Sequence, residues 1–182
     1  MTDNPTQTDS PPAVSATDPD WSRERPDRFW DSGAKLLRAI RGYQRWRGRG
    51  LFGRLIAIRW TISYRFWTII SGADIPITLK IAGGLILPHP NGIVIHPQAQ
   101  IGPNCLIFHQ VTLGVLNRGS DVPRIGGHVD IGAGAKLLGP ITIGDHAMIG
   151  ANAVVLRDVP DGATAVGIPA RLVDSAPVGE HR

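Results

Sequence analysis

The sequence predicts a mainly β protein whose core is a parallel β-helix, and three observations support this prediction. A large aliphatic residue returns every six positions in the second half of the chain: Ile95, Ile101, Ile107, Leu113, Ile125, Ile131, Leu137, Ile143, Ile149 and Val155. Glycine often follows this residue, and a small or β-branched residue comes four positions after it. A helix or a flat strand would not keep one face with a six-residue period. Hexapeptides stacked as triangular coils, three to a turn, account for all three features.

Length and composition limit the remaining possibilities. The chain has 182 residues, 42% of them hydrophobic, which fits one domain with appendages. Lys and Arg exceed Asp and Glu by 19 to 15, but nine of the basic residues lie between Lys35 and Arg65. A local excess without a recognised nucleic-acid motif predicts no nucleic-acid partner. The single cysteine, Cys105, occupies a small inward position and allows no internal disulfide. Because no signal-peptide pattern is present either, we expect a cytoplasmic protein.

Two segments precede the repeat. Residues 1–26 contain few large apolar side chains, so we expect a disordered tail there. Residues 27–73 place apolar side chains three and four positions apart, which predicts a helical segment of two helices with a break near residues 48–53. The second apolar run, residues 55–70, resembles a membrane span. Its arginines argue against one, because each would cost about 2.5 to 3.5 kcal/mol at bilayer depth.

The nine basic residues of the predicted helices can be interpreted in two ways. In the first interpretation they form a solvated helical face. Alternatively, residues 35–67 make peripheral contact with anionic lipid or a lipid-linked substrate, helped by Trp46, Trp60 and Trp67.

The repeat domain is predicted to cover residues 74–174, followed by a flexible tail at 175–182. Its phase is interrupted twice. Leu87 and Ile95 are eight positions apart, so the segment between them has two residues more than a plain corner needs and is expected to protrude. Residues 114–124 lack the inward aliphatic pattern and predict an extruded loop. Loops that leave a rigid scaffold frequently carry function.

Four sequence blocks carry a family resemblance: Leu87-Pro88-His89-Pro90-Asn91-Gly92-Ile93-Val94-Ile95, Gln110-Val111-Thr112-Leu113-Gly114, Ile131-Gly132-Ala133-Gly134-Ala135-Lys136 and Gly167-Ile168-Pro169-Ala170-Arg171. With them, residues 74–171 resemble the hexapeptide-repeat acyltransferases, in particular the serine acetyltransferase branch with its exopolysaccharide-modifying relatives. The resemblance implies a left-handed coil, acetyl-coenzyme A as donor and a hydroxyl as acceptor. It also implies a homotrimer with an active site at each junction between neighbouring coils.

By the same resemblance, His89 is the general base and Asp74 is the carboxylate that orients it. A hydroxyl is a poor nucleophile at neutral pH, and an imidazole that removes its proton contributes about 10² to 10⁴-fold. The carboxylate would stabilise the imidazolium that forms. Backbone N–H groups near Gly114 would bind the oxyanion. No metal is expected, since the ligand spacing of the metal-binding hexapeptide branch is absent from the sequence.

The resemblance also marks positions that contact coenzyme A. Gly114, Ala133 and Ala151 are small residues that would let the pantetheine arm approach the main chain. Met148 stands where the relatives have a lysine near the cofactor, and Arg171 lies in the closing segment near the adenine and phosphate end. Without the resemblance, each glycine or alanine would indicate only corner geometry.

Two departures concern the acceptor. Pro88 replaces an acidic residue that holds the amino acid, and Asp121-Val122 replace an Arg-His pair that serves its carboxylate. Asp121 would repel a carboxylate. Arg124 or Arg118 could substitute for the missing cation, although neither is at the matching position. The serine acetyltransferase type therefore predicts acetyl transfer to L-serine for cysteine biosynthesis, while the departures favour a saccharide hydroxyl in exopolysaccharide biosynthesis. An alternative of another class is a hexapeptide scaffold without catalysis.

Overall fold

The computed structural model describes residues 14–26, 28–116 and 121–173. It contains a 3₁₀ turn at Trp21–Glu24, helices α1 (Ser32–Trp46) and α2 (Gly50–Ser71), and thirteen short strands. The strands are β1 (Lys80–Ile81), β2 (Val94–Ile95), β3 (Gln100–Ile101), β4 (Leu106–Ile107), β5 (Thr112–Gly114), β6 (Arg124–Ile125), β7 (Asp130–Ile131), β8 (Lys136–Leu138), β9 (Thr142–Ile143), β10 (Met148–Ile149), β11 (Val154–Val155), β12 (Thr164–Val166) and β13 (Arg171–Val173).

Three sheets form the faces of a triangular coil. Face 1 contains β2, β5, β8 and β11, face 2 contains β1, β3, β6 and β9, and face 3 contains β4, β7, β10, β12 and β13. Each strand pairs in parallel with the strand one coil away, except that β13 runs antiparallel to β12. The chain visits the faces in the order 1, 2, 3. We name the corners edge 1–2, edge 2–3 and edge 3–1 after the faces they join.

The six-residue period fills the core, as the sequence predicts. Every one of the ten repeating aliphatic residues is buried, and Ile107, Leu113, Ile131, Leu137 and Ile143 are completely inaccessible. The register aligns these residues between coils, for example Ile101 with Ile125 and Leu113 with Leu137. Because each aliphatic residue lies on the one below it, the β-helix is a rigid scaffold whose edges carry the variable residues.

The two interruptions of the period are both corners of the coil. Between Leu87 and Ile95 the chain bulges at edge 3–1, where Pro88 and His89 are exposed and Pro90 is buried. The extruded loop leaves edge 1–2 after Gly114 and returns at Arg124. Residues 117–120 of this loop, including Arg118, lie outside the described residues.

The helices form a hairpin at the first coil. Asp31 caps α1 by accepting a hydrogen bond from the Ala34 N–H (2.9 Å). Gly42 permits the close crossing of the helices, since a Cβ there would lie 2.2 Å from the Trp60 ring. The predicted break is shorter than expected, because α2 begins at Gly50. None of the helices in the described part of the chain is long and apolar enough to cross a bilayer.

The prediction of a disordered tail over residues 1–26 differs from the structure at residues 14–26. This segment, which we call the strap, lies along edge 2–3. Asn104 donates from Nδ2 to Ser15 O (2.7 Å) and Asp18 O (2.8 Å), and Glu24 forms an ion pair with Arg41 (2.8 Å). The stabilisation comes from specific polar contacts, which a scarcity of apolar residues does not reveal. Residues 1–13 and the predicted tail at 175–182 lie outside the described residues.

Candidate functional site

Edge 3–1 brings several predicted site residues into one column. His89, His109, Ala133 and Ala151 occupy its corners in successive coils. Backbone hydrogen bonds of 2.8–2.9 Å join the corners: Gln110 N–H to Asn91 O, Gly134 N–H to His109 O, and Asn152 N–H to Ala133 O. With about 4.8 Å between coils, the column extends roughly 14 Å. It therefore presents an imidazole at one end and small residues along the rest.

The His89 side chain is exposed and borders a cavity of about 660 Å³. The opposite wall belongs to the N-terminal segment and includes Arg23, Arg25 and Trp30. The guanidinium of Arg23 donates to Gly84 O (3.1 Å) and to Asn104 O (3.0 Å), so its position is fixed by the β-helix. The cavity is thus lined by the His89 imidazole, by arginine side chains and by the acidic residues Glu24 and Asp31.

A second imidazole lies beside the first. The rings of His89 and His109 are 6.5 Å apart between centroids and are inclined by 72°. Nδ1 of His109 is buried and has no hydrogen-bond partner among the described residues. This ring is close enough to affect how His89 is oriented.

Asp74 is near the column but does not contact His89. Its backbone joins face 1, donating to Ile93 O (2.7 Å) and accepting from the Ile95 N–H (2.9 Å), and its side chain is exposed. No ion pair or hydrogen bond between Asp74 and His89 occurs in the described part of the molecule. Catalytic hydrogen bonds are frequently long without substrate and shorten when it binds. The orienting role of Asp74 therefore stays a prediction.

The other residues predicted to contact coenzyme A are distributed over two more regions. Met148 and Arg171 are exposed on face 3, on strands β10 and β13 that both flank β12. Gly114 ends β5 on the side of edge 1–2. A Cβ at Gly114 would meet only ordinary contacts at 3.6 Å or more. Within one chain, Gly114 is therefore not part of the edge 3–1 column.

The predicted acceptor residues lie at edge 1–2. Asp121 and Arg124 line a depression of about 400 Å³ together with Gln98, Gln100 and Thr142. Both charged side chains are exposed. This depression is on a different edge from His89, so one chain does not bring the predicted base and the predicted acceptor residues together.

The remaining histidines form a different pair. His128 and His146 lie at edge 2–3 with their Nδ1 atoms 2.9 Å apart. Across residues 14–26, 28–116 and 121–173, no group of three or more His, Cys, Asp or Glu side chains is arranged to hold a metal ion. Cys105 is buried, and burial raises the pKa of its thiol to about 11.

Known proteins resemble this chain in sequence and in fold. The family description "Bacterial transferase hexapeptide (six repeats)" matches residues 123–157. The Helicobacter pylori serine acetyltransferase is 46% identical over 106 residues, which are 57% of this chain and 62% of that protein. Soybean serine acetyltransferase complexed with serine superposes with a TM-score of 0.66 at 38% identity, covering 78% of this chain and 57% of that one. A serine acetyltransferase complexed with CoA gives a TM-score of 0.66 at 33% identity, covering 80% and 58%. The chain is thus similar to serine acetyltransferases in the sequence and fold of its hexapeptide repeats.

The similarity confirms the predicted left-handed parallel β-helix for this serine acetyltransferase-like chain. The chain spans about 60% of the length of these three relatives. Soybean serine acetyltransferase was solved with serine and another relative with CoA.

The sequence did not predict every residue beside His89 in this serine acetyltransferase-like chain. The contribution of Arg23 and Arg25 to the cavity wall was missed because the strap was expected to be disordered. Two signals could have identified it. Asp20 is a good cap for a short helical turn, and its carboxylate accepts a hydrogen bond from the Ser22 N–H (2.9 Å). Trp21 is a large aromatic residue in an otherwise polar stretch, and it packs over Gly83 and Arg41.

Proposed function

We propose that this chain is an acetyl-CoA-dependent O-acetyltransferase that transfers the acetyl group to L-serine. The observation that carries the proposal is the edge 3–1 column, in which the exposed His89 precedes the small residues Ala133 and Ala151 in successive corners. The similarity to serine acetyltransferases solved with serine and with CoA supports the same substrates.

In the proposed reaction, neutral His89 accepts the proton of the serine hydroxyl while its oxygen attacks the thioester carbonyl carbon. A tetrahedral oxyanion forms, stabilised by backbone N–H donors. Its collapse breaks the carbon–sulfur bond, and the imidazolium returns the proton to the CoA thiolate. The products are O-acetylserine and CoA, and the enzyme is unchanged. Asp74 acts in this proposal as the carboxylate that orients the imidazole once substrate is bound.

The test is thioester cleavage with acetyl-CoA and L-serine. We expect His89→Ala to lower kcat by about 10² to 10⁴-fold, the usual contribution of a general base. His146→Ala is the matched control, because this exposed histidine lies at edge 2–3, away from the column. The kcat of the His146→Ala variant should remain within about twofold of the kcat of the parent protein. Equal rates for His89→Ala and the parent protein would exclude His89 as the base.

A homotrimer is part of the proposal. Edge 3–1 carries His89, edge 1–2 carries Asp121 and Arg124, and neighbouring edges are separated by one hexapeptide, about 20 Å of extended chain. A threefold arrangement can bring edge 3–1 of one subunit beside edge 1–2 of the next. A site shared in this way would contain all the predicted residues.

Subunit complementation tests the shared site. His89→Ala and Arg124→Ala subunits would each form impaired homotrimers. If the two are refolded together in equal amounts and assort at random, about a quarter of all sites receive both native residues. Recovery of about a quarter of the parent activity supports the shared site. No recovery, with mixed trimers verified by mass, would place both residues in one subunit's site.

A saccharide hydroxyl is the second candidate acceptor. The observation that favours it is the exposed Asp121 carboxylate in the edge 1–2 depression, which would repel the serine carboxylate. L-serine acceleration of CoA release, with saturation, would support serine. Acceleration only by saccharide acceptors would support the second candidate. The cytoplasmic location stays a prediction from the sequence.

A further inference from the structure

Helix α2 carries an apolar stripe that no described residue covers. Its members are spaced by three or four positions, so they lie on one side of the helix, and each is between 49% and 82% exposed: Leu51, Leu55, Ile58, Ile62, Phe66 and Ile69. The opposite side of α2 packs on α1 through Gly53, Ala57 and Trp60. At 22 residues the helix is about 33 Å long. Contiguous apolar patches of this size mark interaction sites.

The charges around the stripe indicate its partner. Arg54 and Arg65 flank it on one side and Arg59 on the other, as the helical spacing requires. The segment from residue 32 to residue 73 contains nine Lys and Arg and no Asp or Glu. A second copy of this helix would bring like charges together, which is unfavourable at close range. A negatively charged surface matches the arginines, and the apolar stripe requires that this surface also accept hydrocarbon.

We infer that α2 docks this chain in the plane of an anionic lipid bilayer, with the stripe inserted among the acyl chains and the arginines at the phosphates. Helices with an apolar face, cationic flanks and no membrane-spanning run bind at the interface in this way. Lipid charge and buried apolar area both contribute to such binding.

Two further features fit this assignment. A groove of about 570 Å³ between the helices is continuous with the stripe, since Leu51 and Ile58 line it, and Arg47 and Arg54 stand at its border. This combination suits an acyl chain with its phosphate.

At the other end of α2, Phe66 packs edge-on against Trp67 (5.1 Å between centroids). Aromatic side chains favour the level of the lipid headgroups.

The docked helix would end beside the candidate site. Ile70, in the last turn of α2, lines the cavity that also contains His89. A hydroxyl acceptor held at a lipid surface would therefore approach His89 without leaving the interface. This consequence rests on the proposed acetyltransferase function, whereas the docking itself does not.

The experiment is sedimentation of the full chain with vesicles of phosphatidylcholine alone or with phosphatidylglycerol added. The parent protein should bind the anionic vesicles, and added salt should weaken binding because it screens the arginines. Ile58→Gln combined with Ile62→Gln should lower the partition coefficient at least about tenfold. Arg59→Gln should lower it about fivefold on anionic vesicles only, as expected for one cation near the surface.

Matched controls lie on the β-helix. Leu156 and Arg157 are neighbouring exposed residues, so Leu156→Gln and Arg157→Gln repeat the same chemical changes away from α2. Their binding should stay within about twofold of the parent protein. Equal losses in the control and stripe variants, or no binding of the parent protein at low salt, would overturn the proposal. So would an oligomer that dissociates only in the Ile58→Gln, Ile62→Gln variant, because the stripe would then be an interface between copies.

Discussion

Asn104 holds the strap to the β-helix, and replacing it tests whether the strap is a fixed wall of the His89 cavity. The side chain is fully buried and makes three hydrogen bonds: Nδ2 to Ser15 O (2.7 Å), Nδ2 to Asp18 O (2.8 Å), and Asp20 N–H to Oδ1 (2.8 Å). The backbone of Asn104 is left-handed, with φ of 60°. Glycine adopts this conformation without strain, so Asn104→Gly removes the three hydrogen bonds and leaves the turn intact.

The expected loss follows from the number of contacts. A hydrogen bond between neutral groups contributes about 1 kcal/mol net, so three contribute about 3 kcal/mol. Asn152 provides the matched control. Its φ is 56°, its side chain is exposed, and it makes no side-chain hydrogen bond within the described residues. Asn152→Gly therefore increases the conformational entropy of the unfolded chain as much as Asn104→Gly does, but it removes no side-chain hydrogen bond.

Equilibrium unfolding in urea measures the difference. Asn104→Gly should lose about 2 to 4 kcal/mol more than Asn152→Gly, or about 6 to 12 °C in Tm for a chain of this size. Trypsin should also cleave the Asn104→Gly variant faster after Arg23, because the strap opens locally before the β-helix unfolds. Equal stability of the two variants, together with equal cleavage rates, would refute the assignment of the strap as a fixed wall.

Three further predictions concern the scaffold. Leu137→Ala removes a fully buried side chain at the centre of face 1 and should lower the free energy of unfolding by about 2 to 5 kcal/mol. Leu116→Ala, at a half-exposed position, should change the free energy of unfolding by less than about 0.5 kcal/mol. Cys105 should react with iodoacetamide only on unfolding, since burial raises its pKa to about 11 and hides the thiol; modification of the native protein at the rate of a free thiol would contradict this. Burial raises the pKa of the Asp130 carboxyl group above its ordinary 3.8, so the folded state binds the carboxyl proton more tightly than the unfolded state does. The free energy of unfolding therefore falls as the pH rises from 3.8 through the pKa of Asp130 in the folded state. Asp130→Asn should reduce that fall in urea unfolding across the same pH range, and an unchanged pH dependence would contradict it.

The fold was predictable because its determinant is local and periodic. Each core residue of the coil repeats a six-residue environment, so Ile95 and Leu113 could be assigned to one inward row from their spacing alone. The strap was not predictable in this way. Its stability comes from single polar contacts such as Glu24 with Arg41 and Asn104 with Ser15, across sequence separations of 17 and 89 residues. Such pairings have no periodic signal, and composition predicted disorder instead.

The family resemblance names candidate site residues one by one, and their roles stay predictions, but it does not show how they assemble. His89 could be identified because it lies in an irregular corner that the repeat does not require. Whether Asp74 contacts it depends on side-chain orientation, and the structure holds them without a hydrogen bond. The distance of 6.5 Å between the ring centroids of His89 and His109 follows from the stacking of two corners 20 residues apart in sequence.

The arrangement of the three edges determines what a single chain can do. The strap already occupies edge 2–3, where Ala16 O approaches Gly127 so closely that a Cβ would lie 1.8 Å from it. In the described part of the chain, edges 3–1 and 1–2 carry, respectively, the proposed base His89 and the charged residues Asp121 and Arg124. Because the close-packed coil cannot bend to join two edges, the two sets can meet only across a contact between copies. The proposed trimer is therefore a requirement of the proposed chemistry, and loss of the acceptor residues from one subunit should impair the base of its neighbour.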